Sequence, residues 1–256
     1  MVKRDADRVI LITGGTKGIG FGIAETFLET GAKVIVCGRQ STQLLPSAGD
    51  NVADFVPADI REASDVEKLF GYVRERYGKL DVLINNAGGT PFSLAANGSA
   101  RYHASLIDLN LTAPLIMAIH ANALMQEQPE GGVILFIGSV GAYSARPGSA
   151  TYAAAKAGVL SLTKSLAVEW APKVRVVSVS PGLVQTEQSH LHYGDEDGIA
   201  AVSATVPLAR MATPRDIGDA CLFMASGRAG YVSGVDLLVH GGGESPAFLN
   251  AASTNK

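Results

Sequence analysis

Apolar residues along the chain fall into short unbroken runs separated by longer stretches with helical periodicity. RVILIT, KVIVC, DFVPA, DVLINN, GVILFIGS, VRVVSVS and VDLLVH read as seven strands. Their continuous Val, Ile and Leu content does not alternate with polar residues, which suits parallel strands covered on both faces. The segments near 18–30, 62–77, 102–127, 150–171 and 214–226 read as helices, and 40–48 as a weak one. Strand–helix alternation of this kind predicts right-handed βαβ units. The expected architecture is α/β, a Rossmann-like doubly wound sheet of seven parallel strands with helices on both faces. No repeat, linker or low-complexity tract divides the chain, so residues 1–256 are read as one domain. The irregular stretch 185–212 follows a strand end and is long for a connection, which marks it as a lid over a site. The last sixteen residues, from Gly241, read as a loop and tail that a neighbouring subunit could order.

Composition narrows the function classes. The 256 residues are 47% hydrophobic and include 29 glycines, with a net charge of −3. Mean hydropathy is +0.20 and the pI is about 6.0. That is enough chain for one substantial core. It carries no basic footprint for nucleic acid or an anionic membrane. No run of eighteen apolar residues predicts a membrane span. The N-terminal stretch lacks the features of a signal peptide, and the two cysteines, Cys37 and Cys221, cannot form a disulfide framework. A reducing cytoplasmic setting is the expectation, and Asn97-Gly98-Ser99 is read as a loop without sugar.

Candidate chemistry then gathers at strand ends. The first strand runs into TGGTKGIG, Thr13 to Gly20, with a helix behind it. Gly14, Gly18 and Gly20 permit a tight turn and close backbone approach, and the helix N-terminus favours phosphate. Thr16, Lys17 and Ile19 belong to the same turn. The second strand ends in Gly38 and Arg39, where a carboxylate would bind ribose hydroxyls and specify NAD. Two cations, Lys17 and Arg39, without a carboxylate suit a ribose phosphate and hence NADP; the competing reading is two solvated surface charges. Asp59 and Ile60 follow the third strand, Asn86, Ala87 and Gly88 the fourth, and Ser139 the fifth. Tyr152 and Lys156 are four residues apart on the helix after that, so they share a face. All of these fall on the carboxyl edge of the sheet, where open parallel sheets bind ligands.

These motifs together resemble the short-chain dehydrogenase/reductase family, single-domain type, over nearly the whole chain. The resemblance rests on TGGTKGIG, Asp59, NNAG, Asn110, Ser139 with Tyr152-Ala-Ala-Ala-Lys156, and PGLVQT from Pro181 to Thr186. It implies a catalytic tetrad of Asn110, Ser139, Tyr152 and Lys156. It places Asp59 and Asn86 near adenosine, and Pro181, Gly182, Val184 and Thr186 near the nicotinamide. It implies a homotetramer with helices 102–127 and 150–171 at the interface. In the family's pattern an Asn often stands where this chain has Ser178.

The activity so implied is NADP(H)-dependent interconversion of a ketone and a secondary alcohol, with a phenol beside an ammonium as the acid–base pair. MQEQPEGG and SLAVEWAP carry Glu127, Glu130 and Val168 where carrier-protein reductases of this family tend to be basic. A free carbonyl compound, carbocyclic or steroid-like, or a small thioester is therefore favoured as the small-molecule partner. The alternative is a 3-oxoacyl-thioester reductase acting on a carrier protein or CoA; the alternative of another class is a non-catalytic dinucleotide sensor or scaffold. His190 and His192 with Asp195 and Glu196 tempt as a metal site but are read as lid side chains, with no metal expected. Pro114 has no N–H for the Asn110 carbonyl, so the helix should kink there and a water should serve that carbonyl. The family resemblance extends that water into a proton relay from Tyr152 through Lys156.

Overall fold

The computed structural model describes residues 7–244 and residue 253. Seven parallel strands form the sheet: β1 Val9–Thr13, β2 Lys33–Gly38, β3 Asp54–Pro57, β4 Val82–Asn85, β5 Gly132–Ile137, β6 Val174–Pro181 and β7 Asp236–Val239. Their spatial order is β3-β2-β1-β4-β5-β6-β7. The first three strands wind one way and the last four the other. The reversal therefore lies between β1 and β4, which pair Ile10–Val82 through Ile12–Ile84. Crossovers diverge at such a point and leave a crevice outside the carboxyl ends of the two strands.

Helices α1 Gly18–Glu29 and α8 Pro214–Ala225 cover one face. Ile23, Phe27, Ile217 and Cys221 pack there with Ile10, Ile12 and Val36. The other face carries α2 Ala63–Tyr77, α4 Ala113–Glu127 and α5 Ala150–Glu169. Leu69, Met117, Ala121 and Val159 pack there against Leu11, Leu83 and Phe136. A strand covered on both sides can be apolar at every position, which explains the unbroken runs in the sequence. Both cysteines are buried in these cores as free thiols.

Three expectations are corrected. Residues 40–48 are not helical: Pro46 and the turn at Gly49 (φ +58°) lead into a small antiparallel pair, Ser47–Ala48 with Asn51–Val52. The helix expected over 102–127 starts earlier and is not uniform. Its first part, α3 Ala100–Ile107, is capped by Ser99, whose side chain accepts from the Tyr102 N–H. A π-turn over Asp108–Thr112 joins α3 to α4, with the Ala113 N–H donating to the Asp108 carbonyl. Instead of a bare kink, the helix widens before Pro114. An i→i+5 turn carries the ring clear of the carbonyl four residues back. Within Ala100–Glu127 one 18-residue stretch is apolar enough, by length and composition alone, to cross a membrane. Its apolar side, including Ala113, Met117, Ala118 and Met125, lies in the core against the sheet.

The stretch 185–212 does form an excursion from the sheet. It carries α6 His190–Tyr193 and α7 Glu196–Ala204. Its two ends are tied together, Gln185 N–H to the Ala212 carbonyl (2.8 Å) and Ala212 N–H to the Leu183 carbonyl (2.9 Å). No residue of α7 is buried. The tail from residue 245, expected to be ordered by a neighbour, lies outside the described residues apart from residue 253.

Candidate active site

The crevice is built first by backbone. Gly14 (φ +64°) and Gly18 (φ +55°) hold left-handed conformations that side chains disfavour. A Cβ on Gly20 would fall 2.4 Å from the Gly14 carbonyl oxygen. The turn thus leaves no room for side chains where α1 begins. The helix has no side-chain cap at Lys17 and no acidic residue in its first turn. Its free N–H groups therefore face the crevice with their positive potential uncancelled. Lys17 and Arg39 are both exposed beside it. A Cβ on Gly38 would meet the Thr16 hydroxyl at 3.3 Å, and Gly38 does not have positive φ. Thr186 and Glu187, from the stem of the excursion, lie over Gly18, with atoms 3.8 and 3.9 Å from where its Cβ would sit. The glycine turn, the uncapped helix terminus and Lys17 fit a dinucleotide phosphate, and the Glu187 carboxylate oxygen on the stem of the excursion is the negative group beside the turn.

Several residues expected at the cofactor turn out to brace the crevice. Asn86 donates its amide to the carbonyls of Thr13 (2.9 Å) and Gly14 (3.1 Å). The Thr13 hydroxyl, which sequence reasoning passed over, accepts from the Asn86 and Ala87 N–H groups. Asn86 and Thr13 thus lock the end of β4 to the glycine turn. Asp59 is held by Arg61, whose Nε donates to it at 2.9 Å, so its carboxylate is pulled below its usual range. The Ile60 side chain is buried in the core, leaving only its backbone toward the rim. Pro181 ends β6 beside Val239, and the Gly182 N–H donates to the Val239 carbonyl. Val184 bridges to Ala212 at the foot of the excursion.

The four expected catalytic residues come together from three places in the chain. Ser139 follows β5, and its hydroxyl accepts from the Gly141 N–H (3.0 Å). Tyr152 and Lys156 lie one turn apart on α5, with the ammonium 5.6 Å from the phenol ring centre. The Tyr152 hydroxyl lies near enough to Ser139 for the serine to favour the phenolate. The Lys156 ammonium donates to the Ile137 carbonyl at 2.7 Å. Asn110 sits in the π-turn, fully buried. Its side-chain Oδ1 accepts from the Gly89 N–H (2.9 Å), and its side-chain Nδ2 donates to the carbonyls of Gly89 and Leu106. Gly88 is what allows the closure: a Cβ there would lie 2.7 Å from Asn110 Oδ1 and 3.5 Å from Lys156 Nζ. Asn110 therefore holds the loop after β4 against the lysine with both ends of its side chain.

Burial acts on the pair in opposite senses. It raises the Tyr152 phenol, which the nearby Ser139 partly offsets. It lowers the Lys156 ammonium to about 8. Both shifts favour the uncharged form, as desolvation must.

A cleft of about 580 Å³ opens between Thr16, Lys17, Phe21, Thr42, Pro214 and Arg215. It adjoins the glycine turn, but none of the tetrad lines it. The reacting geometry lies with the tetrad instead. Two further contacts escaped sequence reasoning. His103 on α3 bonds the Thr151 hydroxyl (2.7 Å) and the Ala95 carbonyl (3.0 Å), tying the 90s loop to the residue before Tyr152. Tyr143 donates to Asp236 (2.7 Å), which also accepts from Ser180. Neither had a motif to announce it. Ser178, where the family often has Asn, is buried, and its hydroxyl has no protein partner. Among the described residues no three His, Cys, Asp or Glu side chains converge as metal ligands. The His190 ring nitrogen instead lies 3.0 Å from the Glu187 carbonyl.

With this geometry in view, the likeness to known proteins is specific. Residues 14–244 match the family described as Enoyl-(Acyl carrier protein) reductase. The chain is 36% identical to 3alpha-hydroxysteroid dehydrogenase of Mediterraneibacter gnavus over 250 residues, 93% of this chain and 98% of that one. It is 32% identical to human Dehydrogenase/reductase SDR family member 4, covering 94% and 90%. This chain belongs to the short-chain dehydrogenase/reductase family. Among further members, 3-oxoacyl-(acyl-carrier-protein) reductase FabG of Salmonella typhimurium is 32% identical, covering 92% and 96%. The ligand-free structure of Thermoplasma acidophilum aldohexose dehydrogenase superposes with a TM-score of 0.86 at 28% identity, over 94% of this chain and 96% of that one. The protein is an oxidoreductase of the nicotinamide-dependent alcohol dehydrogenase and ketone reductase kind.

Proposed function

We propose that this protein interconverts a free ketone and its secondary alcohol with NADP(H), within one domain over which residues 185–212 act as lid. The carrying observation is the Ser139–Tyr152–Lys156 cluster, with Ser139 near enough to favour the Tyr152 phenolate and the ammonium 5.6 Å from the phenol ring centre. A bound nicotinamide would supply or accept the hydride. The glycine turn with Thr16 and Lys17 would hold its phosphates, and Gly38 and Arg39 would receive a ribose phosphate. Asp59 and Ile60 would line the adenosine side, and Pro181, Gly182, Val184 and Thr186 the nicotinamide side.

The chain's own residues then manage one proton. In reduction Tyr152 gives its proton to the substrate oxygen, and Ser139 hydrogen-bonds that oxygen as charge develops. Burial keeps Tyr152 protonated at neutral pH, the form that reduction needs. Lys156 stabilises the phenolate left behind. Alcohol oxidation needs the phenolate at the outset, so its rate should rise with pH above neutrality.

A carbocyclic or steroid-like substrate is supported by the likeness to the hydroxysteroid dehydrogenase. The second reading, a 3-oxoacyl-thioester reductase, is supported by the FabG relatives. Against a carrier partner, Val168 stands 80% exposed where a cation is common. Nearby Arg74 is engaged with Glu127 at 3.7 Å, and Lys173 with the Gln126 carbonyl. A carrier-linked substrate should not exceed its CoA analogue in kcat/KM. The cofactor reading is tested by Gly38→Asp with Arg39→Gln. The new Cβ requires the Thr16 side chain to give way by a few tenths of an ångström, and preference should move from NADP toward NAD. An unaltered enzyme already faster with NAD would refute it. A cytoplasmic homotetramer is part of the same proposal. A protein that turns over none of a broad panel of ketones and alcohols with either cofactor would instead be a dinucleotide sensor.

A further inference from the structure

The loop from Ser139 to the helix of Tyr152 carries one cation, Arg146, and the chemistry above makes no use of it. Its position is defined by Gly141. A Cβ on that glycine would lie 3.2 Å from the Ser139 hydroxyl, 3.5 Å from Arg146 Cγ and 4.0 Å from Arg146 Nε. The arginine stem and the serine hydroxyl therefore flank the same small face. The guanidinium also lies within electrostatic range of α6 on the excursion, where its charge partly offsets the rise that burial imposes on the Tyr193 phenol. Its ion-pair partner is Glu244, on the segment after β7, at 2.6 Å. Arg146 thus stands between the serine, the lid and the chain's last described stretch.

The loop that carries it is pinned. Tyr143 is anchored on Asp236. The Arg146 carbonyl accepts from the Ser149 N–H (3.0 Å), and the Ser93 N–H donates to the Gly148 carbonyl (2.8 Å). A Cβ on Gly148 would strike the Phe92 ring, so the two loops are packed in contact. The backbone that carries the cation is held in a fixed relation to the reacting hydroxyls. Its partner is different. The Arg146 side chain is 26% exposed but the Glu244 side chain 58%, and an ion pair wetted on the carboxylate's side is weak and exchangeable.

We propose that Arg146 recognises an anion on the substrate. The substrate class is a compact oxo or hydroxy acid, whose carboxylate displaces Glu244 from the guanidinium while its carbonyl meets Ser139 and Tyr152. This rests on the reading of those two residues as catalytic. A guanidinium presents a planar fork matched to a carboxylate, and Glu244 occupies that fork as an internal stand-in. The short path from the arginine stem to Ser139 across Gly141 limits the spacing between carbonyl and acid to a few bonds.

The test uses 4-oxopentanoate, 5-oxohexanoate and 3-oxocyclohexanecarboxylate, each against its primary amide at constant ionic strength. Steady-state kinetics with NADPH, and calorimetric binding with the oxidised cofactor, are measured on the unaltered enzyme, Arg146→Gln, Arg146→Lys and Glu244→Gln. In the unaltered enzyme at least one acid should exceed its amide by about tenfold in kcat/KM, mainly through KM. Arg146→Gln should bring that ratio near one, and Arg146→Lys should retain part of it. Glu244→Gln should raise the ratio, since the competing carboxylate is gone. Ratios near one in both the unaltered enzyme and Glu244→Gln would overturn the proposal. So would a preference that survives Arg146→Gln, or loss of thermal stability in both variants with no change of ratio. If amides are reduced in a Tyr152-dependent way while acids gain nothing, the ketone-reductase reading stands and only the role of Arg146 falls. If neither acid nor amide binds or reacts, the role of Arg146 falls, and the ketone-reductase reading falls with it only when the broad panel of ketones and alcohols also fails with either cofactor.

Discussion

Lys156 shows the conflict between stability and chemistry within one side chain. It is 4% exposed, and burial lowers its ammonium to about 8, against roughly 10.4 for a free lysine. Because the folded state binds the proton less tightly than the unfolded state, the charged form costs stability. That cost is complete below about pH 8 and is relieved as pH rises toward roughly 10.4. Lys156→Met should therefore unfold at higher urea than the unaltered protein at pH 7 without cofactor. The gain should be on the order of 1–3 kcal/mol, reduced by the loss of the bond to the Ile137 carbonyl, and should shrink between pH 8 and 10. A difference that is constant over that range would show that the ammonium's charge is not the cause. Tyr152→Phe keeps the ring and deletes the proton carrier. It should lower kcat by about a hundredfold to ten-thousandfold while NADPH binding, followed by fluorescence, is retained.

Among the elements, the π-turn at Asp108–Thr112 is where sequence, geometry and function meet. Pro114 forbids a regular helix there, and the widened turn is what carries Asn110. Asn110 in turn clamps Gly89 from both ends of its amide. Pro114→Ala supplies the missing N–H and lets the turn close to i→i+4. That rotates Asn110 away from Gly89 and competes with any water at its main-chain carbonyl. Turnover should fall about tenfold with an altered pH profile and nearly unchanged cofactor affinity, the scale expected when a helical bulge that positions a side chain is lost. A crystal structure of the variant with a closed α-turn and full turnover from pH 6 to 10 would remove the π-turn from the mechanism.

For the whole molecule, the sheet ends on β7, which has a strand on one side only. That edge is apolar: Leu238 is 41% exposed, and Val235 and Phe223 beside it are similar. A second apolar surface lies on α4 and α5, where Ile119 is half exposed and Val168 largely so. An unpaired edge and two separate apolar surfaces suit an assembly with two kinds of interface. Light scattering should return about four chain masses, as expected for closed symmetry with two interface types. Leu238→Lys with Phe223→Glu should leave a dimer held by α4 and α5. A monomer in the unaltered protein at micromolar concentration would reject the tetramer.

The sequence alone determined the alternation of strands and helices, because strands buried on both faces must be apolar throughout and helices must be amphipathic or alanine-rich. It also determined which residues stand at the carboxyl rim, since the order of elements places every strand end there. Local chemistry told as much about Tyr152 and Lys156, one helical turn apart, and about the missing donor at Pro114. Tertiary structure decided what no spacing records. Asn86 and Asp59 are engaged by Thr13 and Arg61, whose approach depends on how strands and loops close on one another. The helix answers its proline with a π-turn, a choice made by the packing of α3, α4 and Gly89. The 40–48 segment yields its weak helical tendency to an irregular run and a short hairpin, since Pro46 has no N–H to continue a helix and Gly49 takes the left-handed turn position. Arg146 and Glu244 are 98 positions apart in the chain. Only the fold, by setting a pinned loop against the segment after the last strand, brings that cation and carboxylate together beside Ser139.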